Sequence, residues 1–384
     1  MIKKIFQWIG ILLLVGIVGL NVFVVFSGKT FFYKALVYNF ANIDDYTIFD
    51  NRTIQRSQAP QHWSFSSRYN KVTLSDTLQH TLDSLQTVAF LVIQQDSILY
   101  ENYSDGYGTA SFSNSFSMAK SVVSALVGIA LKEGKIHRLD EPVGHYLEDF
   151  RGQGKEKITI KHLLTMSSGL NWDESYSSPF SMTTEAYYGK DLPALIHRLK
   201  AVEEPGKRWS YLSGNTQVLA MVLEKATGKR ISTYAQEKLW GPLGMENDAL
   251  WSLDKEDGTE KAYCCLNSNA RDFAKIGKLY LHHGNWKGTQ LLDSQYVKAS
   301  LTPVAIPSVE DNLPVDYYGY QWWLLPDFKG MDVFYARGIL GQYILVVPEK
   351  ELIIVRLGKK RGPKRGAHLM EVWVMLEESL RLLN

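Results

Sequence analysis

The feature that most constrains this chain is the stretch Ser113–Leu131, SNSFSMAKSVVSALVGIAL, in which a Ser-x-x-Lys tetrad (Ser117 to Lys120) runs straight into an uncharged, small-residue segment. A segment of that composition, Val122 to Leu131, reads as a buried helix, so the chain must build its core around it with the tetrad on its first turn. At 3.6 residues per turn, positions 117 and 120 lie about 60° apart around the helix axis, with their side chains in reach of each other. A hydroxyl is a poor nucleophile until a neighbour takes its proton, and the free N–H groups and positive dipole end of a helix start favour the anion that attack requires. Ser117 is therefore the candidate nucleophile and Lys120 its proton partner. A second tetrad, Ser252 to Lys255 in SLDKEDG, sits among acidic, turn-forming residues with no apolar helix behind it, and is read as a chance match.

Near the N-terminus, Lys3 and Lys4 precede Ile5–Phe26, 22 residues without a charge. As a helix this is about 33 Å long, enough to cross a bilayer. Its apolar core is long for a cleaved signal, and only Val25-Phe26-Ser27 offers a cleavage site, so residues 1–28 are expected to stay as an anchor partnered by the lipid bilayer. The lysine bias points the short N-terminus inward and leaves the body on the outer, periplasmic or extracellular, side. The 42 basic and 40 acidic residues balance to a formal charge of +2, which gives no case for nucleic acid as a partner. Cys264 and Cys265 are neighbours, where a mutual disulfide is geometrically unfavourable, so both are expected as core thiols. His282-His283 has no third ligand in register and reads as a helix end; neither a metal nor a cofactor is expected.

Residues 29–80 read as an irregular tether partly packed on the body, and 81–384 as the catalytic domain. Within the latter, Thr87–Gln94 and Ser97–Tyr103 suit a hairpin of strands closed by Gln95-Asp96. Helices are expected over Thr159–Met166 with Thr159 as cap, over Thr216–Thr227 stopped by Gly228, over Ile231–Leu239, and over Ala270–His282 capped by Asn269 or Ser268. Ser167–Gly189 reads as a long loop, of the kind that often lines a site. Strands return at Tyr317–Leu325, Val333–Ala336, Gln342–Val347 and Glu351–Leu357, and a final amphipathic helix covers Ala367–Leu383. The expected architecture is α+β: an antiparallel sheet built from N- and C-terminal strands and flanked by helices, with a mostly helical lobe inserted between them.

Two further stretches accompany the tetrad: Tyr211-Leu212-Ser213 after Pro205-Gly206, and Ala336-Arg337-Gly338-Ile339 on a late strand. In their order and context these resemble the Tyr-x-Asn/Ser and Lys-Thr-Gly motifs of the β-lactamase-related serine hydrolases, a group that includes class C β-lactamases, penicillin-binding proteins and carboxylesterases. HLLTMSSGLNWDESY and YLSGNTQVLAMVLEKATG look most like the 6-aminohexanoate-dimer hydrolase branch. The resemblance implies Ser117 as acylated nucleophile, Lys120 as its proton partner and Tyr211 as proton relay, a tyrosine that acts as base near pH 7 only where cations favour its phenolate. It also implies an oxyanion hole from the backbone N–H groups of Ser117 and Ile339, with Gly338 permitting close approach.

Tyr176 is either the tyrosine that contacts the substrate amide or an ordinary loop residue. Ser213 either contacts substrate or holds the turn before Asn215. Arg337 is either a substitute carboxylate anchor or a solvent-facing strand residue. Because Ala336 and Arg337 replace the lysine and threonine that hold a β-lactam carboxylate, β-lactams are expected to be poor substrates. Trp172, Trp209, Trp322 and Trp323 either wall an acyl pocket or fill the core. The function expected is cleavage of a small-molecule ester or amide through a Ser117 acyl-enzyme outside the cytoplasmic membrane. The alternatives are a cell-wall DD-peptidase or β-lactamase, and a non-catalytic penicillin-binding-like protein.

Overall fold

Strands Thr87–Gln94 and Ser97–Tyr103 form where their β-branched and aromatic residues predict. The two residues between them, Gln95 and Asp96, both hold positive φ (47° and 60°), the twist that a two-residue hairpin needs. The structure, a computed structural model, describes residues 2–383. The hairpin joins a seven-stranded sheet in the order Trp323–Phe328, Met331–Gly338, Gln342–Val347, Leu352–Gly358, Thr87–Gln94, Ser97–Tyr103, Ser64–Phe65. Every pairing is antiparallel except the last, in which Ser64–Phe65 runs parallel to Ser97–Tyr103. N- and C-terminal segments thus share one sheet, and the helical lobe is inserted between them, as the α+β expectation requires.

Alternate strand residues face opposite layers. Leu91, Ile93, Ile344, Val346, Ile353 and Val355 share one core with the serine helix Ala119–Lys132 and the helix Ala270–Leu281. The latter lies so close that a Cβ on Gly277 would stand 2.8 Å from Ile344. Phe90, Val92, Leu345, Val347 and Ile354 form the other core with the helices Asp76–Ser84 and Met370–Arg381. A second sheet orders Asn51–Ile54, Ala249–Ser252, Leu266–Ser268 and Ser113–Asn114, and delivers the chain to the tetrad.

Several expectations change. Residues 29–80 are not irregular: they contain the helix Phe31–Tyr38, the strands Asn51–Ile54 and Ser64–Phe65 in the two sheets, and the start of Asp76–Ser84. The loop after Ser167 contains the helix Met182–Tyr188, capped by the Ser181 hydroxyl, which accepts from the Thr184 N–H. The expected strand at Tyr317–Leu325 begins only at Trp323, because Gln321 takes a φ of +63°. Cys264 and Cys265 are joined to each other as a disulfide instead of standing as two thiols. The backbone turns at Cys265 (φ +64°), which places the two sulfurs on the same side. His282-His283 does close a helix, as its C-cap and the following turn.

The N-terminal helix spans Ile2–Phe26 and, apart from Val24, is exposed along its length. It is the one described helix long and apolar enough to cross a membrane, a test that a signal sequence also passes.

Candidate active site

The serine helix begins at Ala119, and Ser117 sits just before it on a single 3₁₀ turn, Phe116–Met118. Phe116 is forced to a φ of +44°, a conformation that costs a bulky residue energy and persists only when neighbours hold it. Those neighbours are present: the Phe116 N–H donates to Asn114 Oδ1 (2.9 Å) and the Ser115 N–H to the Leu266 carbonyl (2.9 Å).

Lys120 is buried, and its Nζ donates to Ser117 Oγ (3.0 Å) and to the carbonyl of Tyr263 (2.9 Å). Burial lowers its pKa from 10.5 to about 8, while the carboxylate of Glu174 pulls the other way. At neutral pH an amine with that pKa is unprotonated about a tenth of the time, a usable population for a general base.

Tyr211 lies in the turn before the helix Ser213–Thr227, with Lys120 Nζ 5.1 Å from its ring centroid. Trp323, Tyr318 and Trp209 surround it at ring separations of 5.7, 6.0 and 6.5 Å. Burial first, and then Glu174, push its phenol above the ordinary value; contact with Ser117 and the charge of Arg337 oppose this less strongly. The condition under which Tyr211 would act as a base, cations that favour its phenolate, is therefore not met at neutral pH. In this environment the Tyr211 phenol stays protonated at neutral pH, whereas the Lys120 amine has a pKa close enough to neutrality to be partly unprotonated.

The strand Met331–Gly338 meets the serine turn at Gly338, where a Cβ would fall 2.2 Å from the Ser115 carbonyl oxygen. Only glycine lets the backbone that carries the Ile339 amide come this close to the turn that carries Ser117. Arg337 does not project freely into solvent: its guanidinium lies 3.4 Å from the Trp323 ring centroid and donates to the Ala367 carbonyl (2.9 Å).

Glu174 was not among the candidates read from the sequence. It accepts hydrogen bonds from the Ser213 N–H and Oγ (both 2.6 Å) and from the Tyr176 hydroxyl (2.5 Å). Ser213 thus holds the loop carboxylate at the helix start, and Tyr176 has a 50% exposed ring with its hydroxyl turned to Glu174. The available signal was an acidic residue two positions before Tyr176; its contact with Ser213, 39 residues away, was not readable. Tyr263 was missed as well, because a backbone carbonyl that receives a lysine carries no side-chain signature.

The chance tetrad is confirmed as such by position: Ser252 is buried in a strand and donates to Asn51 Oδ1 (2.8 Å), while Lys255 is exposed. All four tryptophans are buried. Trp209 and Trp323 back Tyr211, Trp172 packs on Gly214 and Tyr263, and Trp322 lies in the core with Tyr280 and Phe334. Among the described residues no group of three or more His, Cys, Asp or Glu is arranged to hold a metal ion.

The sequence pattern of the family described as Beta-lactamase matches residues 67–374. The chain is 26% identical over 322 residues to a 6-aminohexanoate-dimer hydrolase of Paenarthrobacter ureafaciens, covering 79% of this chain and 81% of that protein. Among solved structures it is similar to a putative 6-aminohexanoate-dimer hydrolase from Bacillus anthracis, with a TM-score of 0.72 and 20% identity over 89% of this chain and 92% of the other. A family VIII carboxylesterase has a TM-score of 0.63 and 17% identity, covering 84% of this chain and 99% of its own.

Proposed function

The chain belongs to the Beta-lactamase family and is a serine hydrolase of the esterase or amidase type, and on that premise we propose that it cleaves a small ester or amide through an acyl-enzyme on Ser117, from a body anchored outside the cytoplasmic membrane by residues 5–26. The observation that carries the reading is the buried Lys120 ammonium, 3.0 Å from Ser117 Oγ and with its pKa brought down to about 8.

Neutral Lys120 takes the Ser117 proton as Oγ bonds to the substrate carbonyl carbon, and the carbonyl oxygen becomes an oxyanion received by the amides of Ser117 and Ile339. The bond to the leaving alcohol or amine then breaks, and the departing atom receives a proton through the Tyr211 hydroxyl, which is replenished from Lys120. Water next attacks the acyl carbon and gives a proton to the same pair; the acyl C–Oγ bond then breaks, the pair returns that proton to Ser117 Oγ, and the acid leaves. Glu174 joins Ser213 and Tyr176 through its hydrogen bonds, which supports the reading of Tyr176 as a substrate contact.

Arg337, already bonded to Ala367 and stacked on Trp323, is a weak replacement for the missing lysine and threonine, which disfavours the β-lactamase and DD-peptidase readings. Purified protein is expected to hydrolyse nitrophenyl esters and linear amides well and a chromogenic cephalosporin poorly; the reverse order overturns the substrate assignment. A fluorophosphonate probe should label Ser117, with labelling lost in Ser117→Ala and kept in Ser252→Ala. Lys120→Ala and Tyr211→Phe should each slow turnover by on the order of 10² or more. A label mapped to any other serine refutes the mechanism, and the absence of any label favours a binding protein.

A further inference from the structure

The loop that carries Glu174 and Tyr176 also carries Phe180, and Phe180 does not pack on the catalytic core. Its ring stacks on Phe32 (4.7 Å, 3° between planes) and meets Phe23 of the N-terminal helix edge-on (6.0 Å), with Lys29 Nζ 5.5 Å from its centroid. The rim of the site thus rests on Phe32, in the helix that follows, and touches the end of the N-terminal helix at Phe23. Ser181 Oγ, bonded to the Ser175 carbonyl (2.7 Å), ties the Phe180 end of the loop to its catalytic end.

The helix Phe31–Tyr38 follows the N-terminal helix after a four-residue turn and is fastened to it by the Tyr33 hydroxyl, which donates to Asn21 Oδ1 (2.7 Å). Its inner face, Phe31, Phe32 and Ala35, is buried. Its outer face is just as apolar: Leu36 is 58% exposed, Val37 76%, and Phe40 beyond its end 76%, while Phe26 at the end of the preceding helix is 87% exposed. A short helix that is apolar on both faces has no reason to turn one face to water, and this outer face continues directly from a segment long enough to cross a bilayer. Lys29 follows the end of the N-terminal helix, whereas Lys34 turns its Nζ towards the body, 5.8 Å from the Phe49 ring centroid.

We propose that the outer face of Phe31–Tyr38, with Phe26 and Phe40, is embedded in the same bilayer that holds Ile5–Phe26, so that the site opens at the membrane surface and its substrate is the ester or amide of a bilayer-resident amphiphile. The inference rests on the anchor and Ser117 readings above and narrows them to a substrate class. On this reading an amphiphile held in the outer leaflet approaches the site from the side of the Phe180 loop, and water is the only co-reactant needed.

The test uses the full chain in vesicles of phosphatidylethanolamine and phosphatidylglycerol that contain a carbene-generating phospholipid. Labels are expected both within Ile5–Phe26 and within Leu36–Phe40. Labels in the first segment alone overturn the proposal and leave the anchor reading intact, whereas labels in neither overturn the anchor. In the same vesicles, a Val37→Asp/Phe40→Asp protein should turn over a long-chain nitrophenyl ester dissolved in the lipid at least roughly tenfold more slowly, since a carboxylate is disfavoured in that layer. Its rate on water-soluble nitrophenyl acetate should stay unchanged. An equal fall on both esters, or none on either, refutes the proposal. Loss of both activities in Ser117→Ala keeps the hydrolase reading separate from this outcome, and persistence of both would refute that reading alone.

Discussion

Lys120 shows how one buried charge sets the working pH. An ammonium out of water loses its proton more readily, and here burial outweighs the opposing carboxylate of Glu174, leaving a pKa of about 8. If the neutral amine is the base, as proposed, kcat/KM for a neutral ester should rise about tenfold per pH unit up to pH 8 and then level off. Glu174 favours the ammonium, so Glu174→Gln should move this limb to lower pH while also loosening Tyr176 and raising KM. A pH–rate series on both proteins checks the sign: a limb that stays in place or moves upward removes Glu174 from the electrostatics of the site. Ser117 and Lys120 were legible in sequence because their relation is local, three residues along one helical path. Glu174 was not, because its place depends on a loop returning to Ser213, and the protonation state of Tyr211 was left open because desolvation cannot be read from neighbouring letters.

Elements were legible where local propensity and tertiary packing agree. Thr87–Gln94, Ser97–Tyr103 and Gln342–Val347 have the bounds the pattern suggests, and Asn269 caps Ala270–Leu281 by accepting from the Asp272 N–H. They were illegible where a backbone conformation is imposed from outside. Gln321 holds its φ of +63° because its amide donates to the Leu163 and Leu164 carbonyls and its side-chain oxygen accepts from Thr216, which delays the strand to Trp323. The strand carrying Gly338 is the element on which the chemistry depends most directly. A methyl group there would need room 2.2 Å from the Ser115 carbonyl, so Gly338→Ala must push the strand end, and with it the Ile339 amide, away from the serine turn. Turnover should fall by about 10² or more, the scale for losing one oxyanion donor, while Lys120 and fluorophosphonate binding geometry suffer less. Circular dichroism together with steady-state kinetics would decide it, and a folded Gly338→Ala protein with unchanged kcat would take Ile339 out of the oxyanion hole.

At the scale of the whole molecule, residues 29–80 contribute a strand to each of the two sheets and the start of a helix, so they pack with the body more fully than an irregular tether would. Composition made 29–80 look irregular because its strands are short and its apolar residues scattered, and their partners lie far along the chain. Asn51–Ile54 pairs with Ala249–Ser252, Trp63 donates to the Arg271 carbonyl, and Arg68 reaches the carbonyls of Leu382 and Leu383. The Ile43 carbonyl accepts from the Asn114 N–H, three residues before Ser117, so this segment helps to fix the strained turn that presents the nucleophile. It also buries Ile43, Ile54, Trp63 and Leu78. At roughly 1.5–3 kcal/mol for each buried side chain, these rival the whole stability of about 5–15 kcal/mol typical of a domain. A chain starting at Lys29 should therefore fold and hydrolyse nitrophenyl acetate at close to the full-length rate, because the N-terminal helix buries only Val24. A chain starting at Thr81 should fail to fold, having lost two sheet-edge strands and the support behind Asn114. Thermal unfolding and ester turnover of the two fragments measure this, and an active, cooperatively folded 81–384 fragment would show that residues 29–80 are the tether their composition suggests.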